Sequence, residues 1–217
     1  MQKIGFCDKF SLTQAVLDGT KTMTRRLENG LENLEEGNFY FNRATSEIYL
    51  YGEKGTIIER IKTRYKHGEV VAVAQSYEDI YHHGGPEYGS YELVNNYRRL
   101  HIRPWKDITQ QAGWSNKMFV RPELMPHQIQ ITDINIERLQ DISEEDCLKE
   151  GIQEYFPYID RNPTDKVRTF RYFKEGKIRH CISPASKCFA YLIDDISGKG
   201  TWQSNPFVVV YEFKLEK

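Results

Sequence analysis

The sequence predicts an α+β protein, built as a small, partly closed β-barrel with peripheral helices and inserted loops or hairpins. Strand-like segments outnumber helix-like ones, and most of them follow one another in hairpin-sized steps. No internal repeat of roughly 20 to 50 residues is present. Because 217 residues are enough for one well-buried core, we expect a single elaborated domain over residues 1–217.

The charge balance limits the classes of partner. Lys and Arg total 30 against 31 for Asp and Glu, which gives a formal net charge of −1. The chain as a whole is therefore no general binder of polyanions, and any contact with nucleic acid must be local. The N-terminus lacks the apolar segment of a signal peptide, and no stretch approaches the roughly 18 apolar residues of a membrane span. We expect a cytoplasmic protein without a membrane partner.

Secondary structure in the first third follows from local signals. A short strand is predicted at 3–6, then a helix between Ser11 as N-cap and Gly19 as its end. Aromatic and β-branched runs predict a meander of three strands, at 38–43, 46–51 and 56–61. The apolar run at 69–75 predicts a core strand.

The second half contains the clearest strand, at 127–139, with a change of phase near Thr132 and Asp133 that suggests a bulge. A helix capped by Ser143 and ended by Gly151 follows it. The remaining predicted elements are a hairpin around Glu175 and Gly176, a helix from Ser183 to about Ile193, and a final strand over 207–213.

The segment "GTKTMTRR", residues 19–26, concentrates cations and hydroxyls. In a regular strand Lys21 and Thr24 point to opposite faces, so they meet only in a turn or an irregular loop. There, a desolvated lysine beside a hydroxyl nucleophile acts as a base or stabilises an oxyanion. The alternative, which spacing alone favours, is a solvated strand with Thr22, Thr24 and Arg26 on one face and Lys21, Met23 and Arg25 on the other.

Glu150 is a second candidate because it stands in the last turn of its predicted helix, where the helix dipole disfavours a carboxylate. Residues that break a local rule, such as a carboxylate at the negative end of a helix, are enriched at functional sites. The same field raises the pKa of a carboxyl group, which suits a general acid or base. The alternative is an exposed glutamate paired with a nearby lysine, which the sequence alone favours.

The sequence predicts neither a metal site nor a cofactor. His82, His83 and His101 have no Cys or Asp at ligand spacing and are interpreted as surface residues. The four cysteines form no CxxC pair and are expected to be reduced and mostly buried; they are Cys7, Cys147, Cys181 and Cys188.

Two segments interleave aromatic and basic residues, "NNYRRLHIRPW" at 95–105 and "RTFRYFKEGKIRH" at 168–180. Such residues stack on bases and contact phosphates in nucleic-acid-binding proteins. They are equally typical of amphipathic strands with solvated arginines, and the sequence leaves both interpretations open.

Four segments in order resemble the ASCH domain family, most of all its longer phage and prophage members. They are "LDGTKTMTRR", "GEVVAVAQSY", "MPHQIQITDINIERLQDISEEDCLKEGI" and "GTWQSNPFVVVYEF". Together they cover about half of the chain. Residues 28–66, 77–116 and 153–182 have no counterpart in this pattern and are treated as insertions.

The resemblance implies a PUA-like fold, with a cleft between barrel and helix that holds RNA or a modified nucleotide. In this family the basic motif and the glutamate that closes the helix line the cleft. The expected ligand-binding residues are then Lys21, Thr22, Arg25 and Arg26. Binding is the function that the sequence analysis prefers.

An enzymatic alternative comes from a similarity to the small bacterial acetylcytidine amidohydrolases. Lys21, Thr24 and Glu150 fall on their Lys, Thr and Glu pattern. By that analogy Thr24 attacks the amide carbonyl, Lys21 activates or orients Thr24, and Glu150 passes a proton to the leaving amine. This chain is about twice as long as those enzymes. Docking of the barrel to a phage or host protein is a third possibility, and the sequence does not predict the oligomeric state.

Overall fold

The computed structural model describes residues 1–83, 109–156 and 168–216. In this part of the chain eleven β-strands and five α-helices confirm the predicted α+β class. The strands are β1 Lys3–Ile4, β2 Met23–Arg26, β3 Phe39–Asn42, β4 Glu47–Tyr51, β5 Ile57–Lys62, β6 Val70–Val73, β7 Gln128–Arg138, β8 Gln153–Tyr155, β9 Thr169–Lys174, β10 Lys177–Ile182 and β11 Phe207–Glu216. The helices are α1 Leu12–Leu17, α2 Tyr77–His83, α3 Glu144–Lys149, α4 Ala185–Ser197 and α5 Thr201–Ser204.

The chain divides into two compact units. The first comprises Met1–Cys7, Val70–Gln130 and Leu215–Lys217, and the second Asp8–Glu69 and Ile131–Lys214. The expectation of one domain with insertions at 28–66, 77–116 and 153–182 stays a prediction.

In the first unit, β1 runs parallel to β6, and β6 pairs antiparallel with the first residues of β7. Val71 and Val73 are fully buried, which confirms a core strand within 69–75. The apolar core of this unit packs around the ring of Tyr77, whose hydroxyl accepts a hydrogen bond from the Arg121 backbone N–H at 2.9 Å.

In the second unit the strand order is β7-β11-β2, and β11 is antiparallel to β2. Along β7, Ile131, Ile134 and Ile136 are buried, while Thr132 and Asp133 are successive residues outside the core. This break in the alternation confirms the predicted change of phase.

Two further sheets belong to the second unit; the meander and the β9–β10 hairpin were predicted, whereas strand β8 was not. The meander β3-β4-β5 is antiparallel throughout, as is the sheet β8-β9-β10. Glu175 and Gly176 connect β9 to β10 with φ values of 52° and 72°, which is the geometry of a tight hairpin turn. The strands of the described residues therefore form three sheets, and a partly closed barrel stays a prediction.

Helix α1 begins after Ser11 as predicted, but Ser11 has left-handed backbone angles and its side chain makes no capping hydrogen bond. Ser11 is therefore the N-cap by position, as predicted, but it makes no side-chain capping hydrogen bond. Gly19 ends the segment with a φ of 72°, which confirms its predicted role. No helix of the described residues is both long and apolar enough to cross a lipid bilayer.

Candidate functional site

Strand β2 and helix α3 bring the basic motif and Glu150 together. The Ser143 hydroxyl accepts from the Asp146 N–H at 3.1 Å and caps the start of α3, while Gly151, with a φ of 102°, follows its end. Both predicted roles are confirmed. The Thr22 N–H donates to the Lys149 carbonyl at 2.9 Å, so backbone contact joins the start of β2 to the end of α3.

The Lys21 ammonium is buried, and its side chain is only 2% exposed. Nζ donates to the Met23 carbonyl at 2.7 Å, to the Glu150 carbonyl at 2.7 Å and to Glu150 Oε2 at 2.6 Å. These three acceptors match the three N–H donors of a lysine ammonium.

The alternative interpretation of Glu150 was an exposed glutamate paired with a lysine. The pair with a lysine is present, but Glu150 is buried. Burial lowers the pKa of Lys21 because the ammonium is desolvated; the attraction of Glu150 opposes this effect without cancelling it. The sequence analysis placed a desolvated lysine beside the Thr24 hydroxyl; the structure shows a desolvated lysine, but beside the Glu150 carboxylate.

Arg25 completes a network with three carboxylates. Its guanidinium lies 2.6 Å from Glu137 Oε1, 3.2 Å from Asp146 Oδ2 and 3.3 Å from Glu150 Oε1. Burial by itself lowers the pKa of Arg25, yet the attraction of these carboxylates outweighs the desolvation and raises it. The Arg25 charge is therefore well compensated.

Sequence reasoning missed Glu137 and Asp146 as partners of Arg25. They stand 112 and 121 residues away along the chain, so no local spacing connects them to the basic motif. The available signal was indirect, since a buried arginine needs carboxylate partners.

The two faces of β2 have different neighbours. Because side chains alternate along a strand, Met23 and Arg25 lie on one face, and Thr24 and Arg26 lie on the other, where Thr24 is paired with Tyr211 of β11. Thr24 is buried, and in the described part of the chain it makes no hydrogen bond to Lys21 or Glu150. The structure thus brings Lys21 and Glu150 into contact and leaves Thr24 outside that contact.

Arg26 lies among Tyr65, Arg64, Tyr211 and Glu28. The two tyrosine rings meet edge to face at a centroid distance of 5.2 Å. The Tyr211 hydroxyl donates to Glu28 Oε1 at 2.6 Å, and the Arg64 backbone N–H donates to Glu28 Oε2 at 3.0 Å. Desolvation is the largest influence on Arg26 and lowers its pKa, the opposite direction from its neighbour Arg25.

The other predicted residues are placed as follows. Thr22 is partly exposed and lies in the backbone link between β2, α3 and β11, since its carbonyl accepts from the Phe213 N–H at 2.9 Å. His82 and His83 lie at the end of α2. His101 and the segment 95–105 lie outside the described residues, among which no cluster of three or more potential metal ligands occurs.

The second aromatic and basic segment forms the hairpin β9–β10, preceded by Arg168. Arg168 lies 2.6 Å from Glu154 and 3.0 Å from Glu144, and the Arg171 guanidinium lies 4.9 Å from the Tyr155 ring centroid. These arginines thus contact groups of their own sheet and of α3.

No protein-family model, curated protein or solved structure matches this chain. The resemblance to the ASCH family therefore stays a prediction, and the functional conclusion depends on the geometry described above.

Proposed function

We propose that this chain is an ASCH-type protein with a PUA-like fold that binds RNA or a modified nucleotide, and that a phosphate of the ligand lies at Arg26. The observation that carries this proposal is the contrast between the two neighbouring arginines. Arg25 is surrounded by three carboxylates, whereas Arg26 is desolvated among two tyrosines, a second arginine and one carboxylate.

Lys21 and Arg25 are poor phosphate ligands in this arrangement. Their two positive charges face three carboxylates, those of Glu137, Asp146 and Glu150. An anion brought to this network would be repelled by those carboxylates and would have to displace buried hydrogen bonds. We therefore assign to the network the task of holding β2 against α3.

Arg26 has the opposite preference. The Arg26 side chain is partly exposed. A partly desolvated cation that an anion can reach gains from the anion, because the anion restores favourable interactions that burial weakened. The phenol rings of Tyr65 and Tyr211 lie beside it and are fully buried, so they form the wall behind the guanidinium and do not stack on a base. The contribution of this site to ligand binding is therefore the cation.

The phosphate assignment is tested by calorimetric titration with cytidine and with cytidine monophosphate. The wild-type chain is expected to bind the monophosphate about tenfold or more tightly, since a charge-assisted hydrogen bond contributes roughly 1.5–3 kcal/mol. In Arg26→Gln the two affinities become equal. Arg179→Gln, an exposed arginine on β10, is the matched control and keeps the difference. Equal affinity of the wild type for both ligands contradicts the assignment.

The second candidate function is hydrolysis of an acylated nucleoside such as acetylcytidine. The buried contact of 2.6 Å between Lys21 Nζ and Glu150 Oε2, with the lowered pKa of Lys21, supports it. In this mechanism Thr24, which in the described structure lies outside the contact of Lys21 with Glu150, first has to turn towards it; its hydroxyl oxygen then adds to the amide carbonyl and its proton goes to a neutral Lys21. Lys21 passes this proton to the Glu150 carboxylate, which transfers it to the amine as the C–N bond breaks, and water then cleaves the ester to regenerate Thr24.

Turnover of acetylcytidine, followed by liquid chromatography, tests this candidate. Deacetylation lost in Lys21→Ala and in Glu150→Ala, but kept in Lys174→Ala, would establish it. Lys174 has the same 2.6 Å contact with a carboxylate, that of Asp195, in a partly exposed position. Circular dichroism on each variant shows whether the protein is folded. No product from folded wild-type protein removes this candidate and leaves the binding proposal standing.

A further inference from the structure

The outer face of the meander β3-β4-β5 carries a row of aromatic and basic side chains in register. Tyr40 is paired with Tyr49 across β3 and β4, and Tyr49 is paired with Arg60 across β4 and β5. One row further, Glu47 is paired with Lys62. We call the surface formed by Tyr40, Tyr49, Arg60 and Lys62 the tyrosine face.

The rings of the tyrosine face are held in a common orientation. The Tyr40 and Tyr49 rings have centroids 6.5 Å apart and planes only 25° from parallel. The Arg60 guanidinium lies 5.5 Å from the Tyr49 ring centroid, in range for a cation–π interaction. The Tyr49 hydroxyl donates to Glu47 Oε2 at 2.8 Å, which fixes the direction of that ring.

The tyrosine face is not needed to form the core of the meander. Ile48, Leu50 and Ile61 project from the opposite face and are buried there. Tyr40 is 56% exposed, so a large aromatic side chain remains in water on a sheet whose packing is satisfied elsewhere. Exposed aromatic side chains of this kind mark interaction surfaces when they lie together.

The charges beside the rings favour an anionic partner. Arg60 and Lys62 are exposed cations on the tyrosine face. Glu47 is the carboxylate in the same rows, and it is engaged by the Tyr49 hydroxyl and lies 3.7 Å from Lys62. Glu59 is paired with the buried Leu50 and therefore belongs to the opposite face.

We propose that the tyrosine face binds single-stranded nucleic acid, with a base stacked on the exposed Tyr40 ring, which packs against Tyr49, and with phosphates contacted by Arg60 and Lys62. Exposed rings beside cations are the shared chemistry of single-strand binding surfaces, where aromatic stacking tolerates any base and the cations follow the backbone. This inference goes beyond the proposed function, because it uses none of the residues around Arg26.

The test is fluorescence anisotropy of the full chain with a labelled twelve-nucleotide uridine RNA and with the corresponding thymidine DNA. Tyr40→Ser is expected to weaken binding about fivefold or more, the smallest effect reported by alanine substitution for loss of one stacked base. Tyr40→Trp retains binding because the ring is preserved. Tyr191→Ser is the matched control, since Tyr191 on α4 is 53% exposed and lies outside the tyrosine face.

Salt dependence tests the phosphate contacts separately. For Arg60→Gln the slope of log affinity against log salt concentration should fall by about 0.7, the value for one phosphate contact on a single strand. Similar affinities for RNA and DNA, or a preference for RNA, both agree with the proposal. Absence of binding by wild-type protein, or equal binding by Tyr40→Ser and wild type, overturns it.

The two proposals fail in different experiments. Tyr40→Ser leaves the affinity for cytidine monophosphate unchanged if the tyrosine face is separate from Arg26. Arg26→Gln is expected to abolish the preference for the monophosphate while the effect of Tyr40→Ser on the uridine RNA persists.

Discussion

At the scale of single residues, Arg25 and Arg26 show how strand alternation assigns different roles to neighbours with the same chemistry. One side chain enters a network of three carboxylates, and the next lies between two tyrosine rings. Since successive residues of a strand face opposite sides, this separation follows from the geometry of β2 alone.

The buried pair of Lys21 and Glu150 predicts a large cost for removing one partner. Glu150→Gln leaves the Lys21 ammonium buried without its carboxylate, and we expect a loss of about 3–5 kcal/mol in the free energy of unfolding. Urea denaturation measures the change. Lys174→Met, which breaks a partly exposed pair of the same length, should cost only about 0–1 kcal/mol.

The double variant Lys21→Met with Glu150→Gln separates charge burial from packing. If the cost arises from an uncompensated ammonium, the double variant is more stable than Glu150→Gln alone, because no buried cation remains at position 21. If the loss of stability in the double variant equals the sum of the losses in Lys21→Met and Glu150→Gln, the two residues are not coupled and the explanation is contradicted.

Cys147 predicts a loss of stability at alkaline pH. Burial raises the pKa of its thiol from the ordinary value of 9.0 to about 12, so the folded state keeps a proton that the unfolded state releases. The contribution of this thiol to stability is complete below pH 9 and is lost as the pH rises from about 9 to about 12. Urea denaturation at pH 8 and at pH 10.5 measures how much the free energy of unfolding falls between the two pH values. We expect this fall to be smaller for Cys147→Ala than for wild type; an equal fall in both proteins would contradict the prediction.

At the scale of elements, α3 depends on its cap and its contacts. It contains six residues, Glu144–Lys149, too few for an isolated helix to be stable in water. The same helix contains Asp146 and is followed directly by Glu150. Both carboxylates of the ion-pair network are therefore positioned only while this short helix is folded.

Removing the cap should therefore be costly. Ser143→Ala eliminates the hydrogen bond to the Asp146 N–H, and we expect a loss of about 0.5–2 kcal/mol in the free energy of unfolding. Ser143→Asp retains an acceptor at the N-cap and should keep most of the stability. Equal losses in both variants, measured by thermal or urea unfolding, would show that the cap is not responsible.

Elements with a local signature were predictable, and the site was predictable only in part. The interruption at Thr132 and Asp133 followed from periodicity, and the turn at Glu175 and Gly176 followed from the two alternating runs around it. The contact of Lys21 with Glu150 joins residues 129 positions apart, and the family pattern suggested it where spacing did not. The pattern also suggested Thr24, which the alternation of β2 turns away from that contact.

At the scale of the whole molecule, the net charge is only −1, but the cations occupy surroundings of different charge. Within the second unit, Lys21 and Arg25 face three carboxylates, whereas Arg26 lies beside two tyrosines and Arg60 lies beside the Tyr49 ring. Residues 28–66, which the sequence analysis treats as an insertion, supply Glu28, Arg64 and Tyr65 to the surroundings of Arg26 and all four residues of the tyrosine face.

The most direct measurement of the central claim is the free energy of unfolding of Arg25→Gln and of Arg26→Gln, compared with wild type by urea denaturation. We expect a loss of about 3–5 kcal/mol for Arg25→Gln, because three carboxylates lose their shared cation. We expect a change below about 1 kcal/mol for Arg26→Gln, because desolvation opposes the favourable contacts of that cation. An Arg26→Gln variant as destabilised as Arg25→Gln would show that both arginines are structural and would contradict the account.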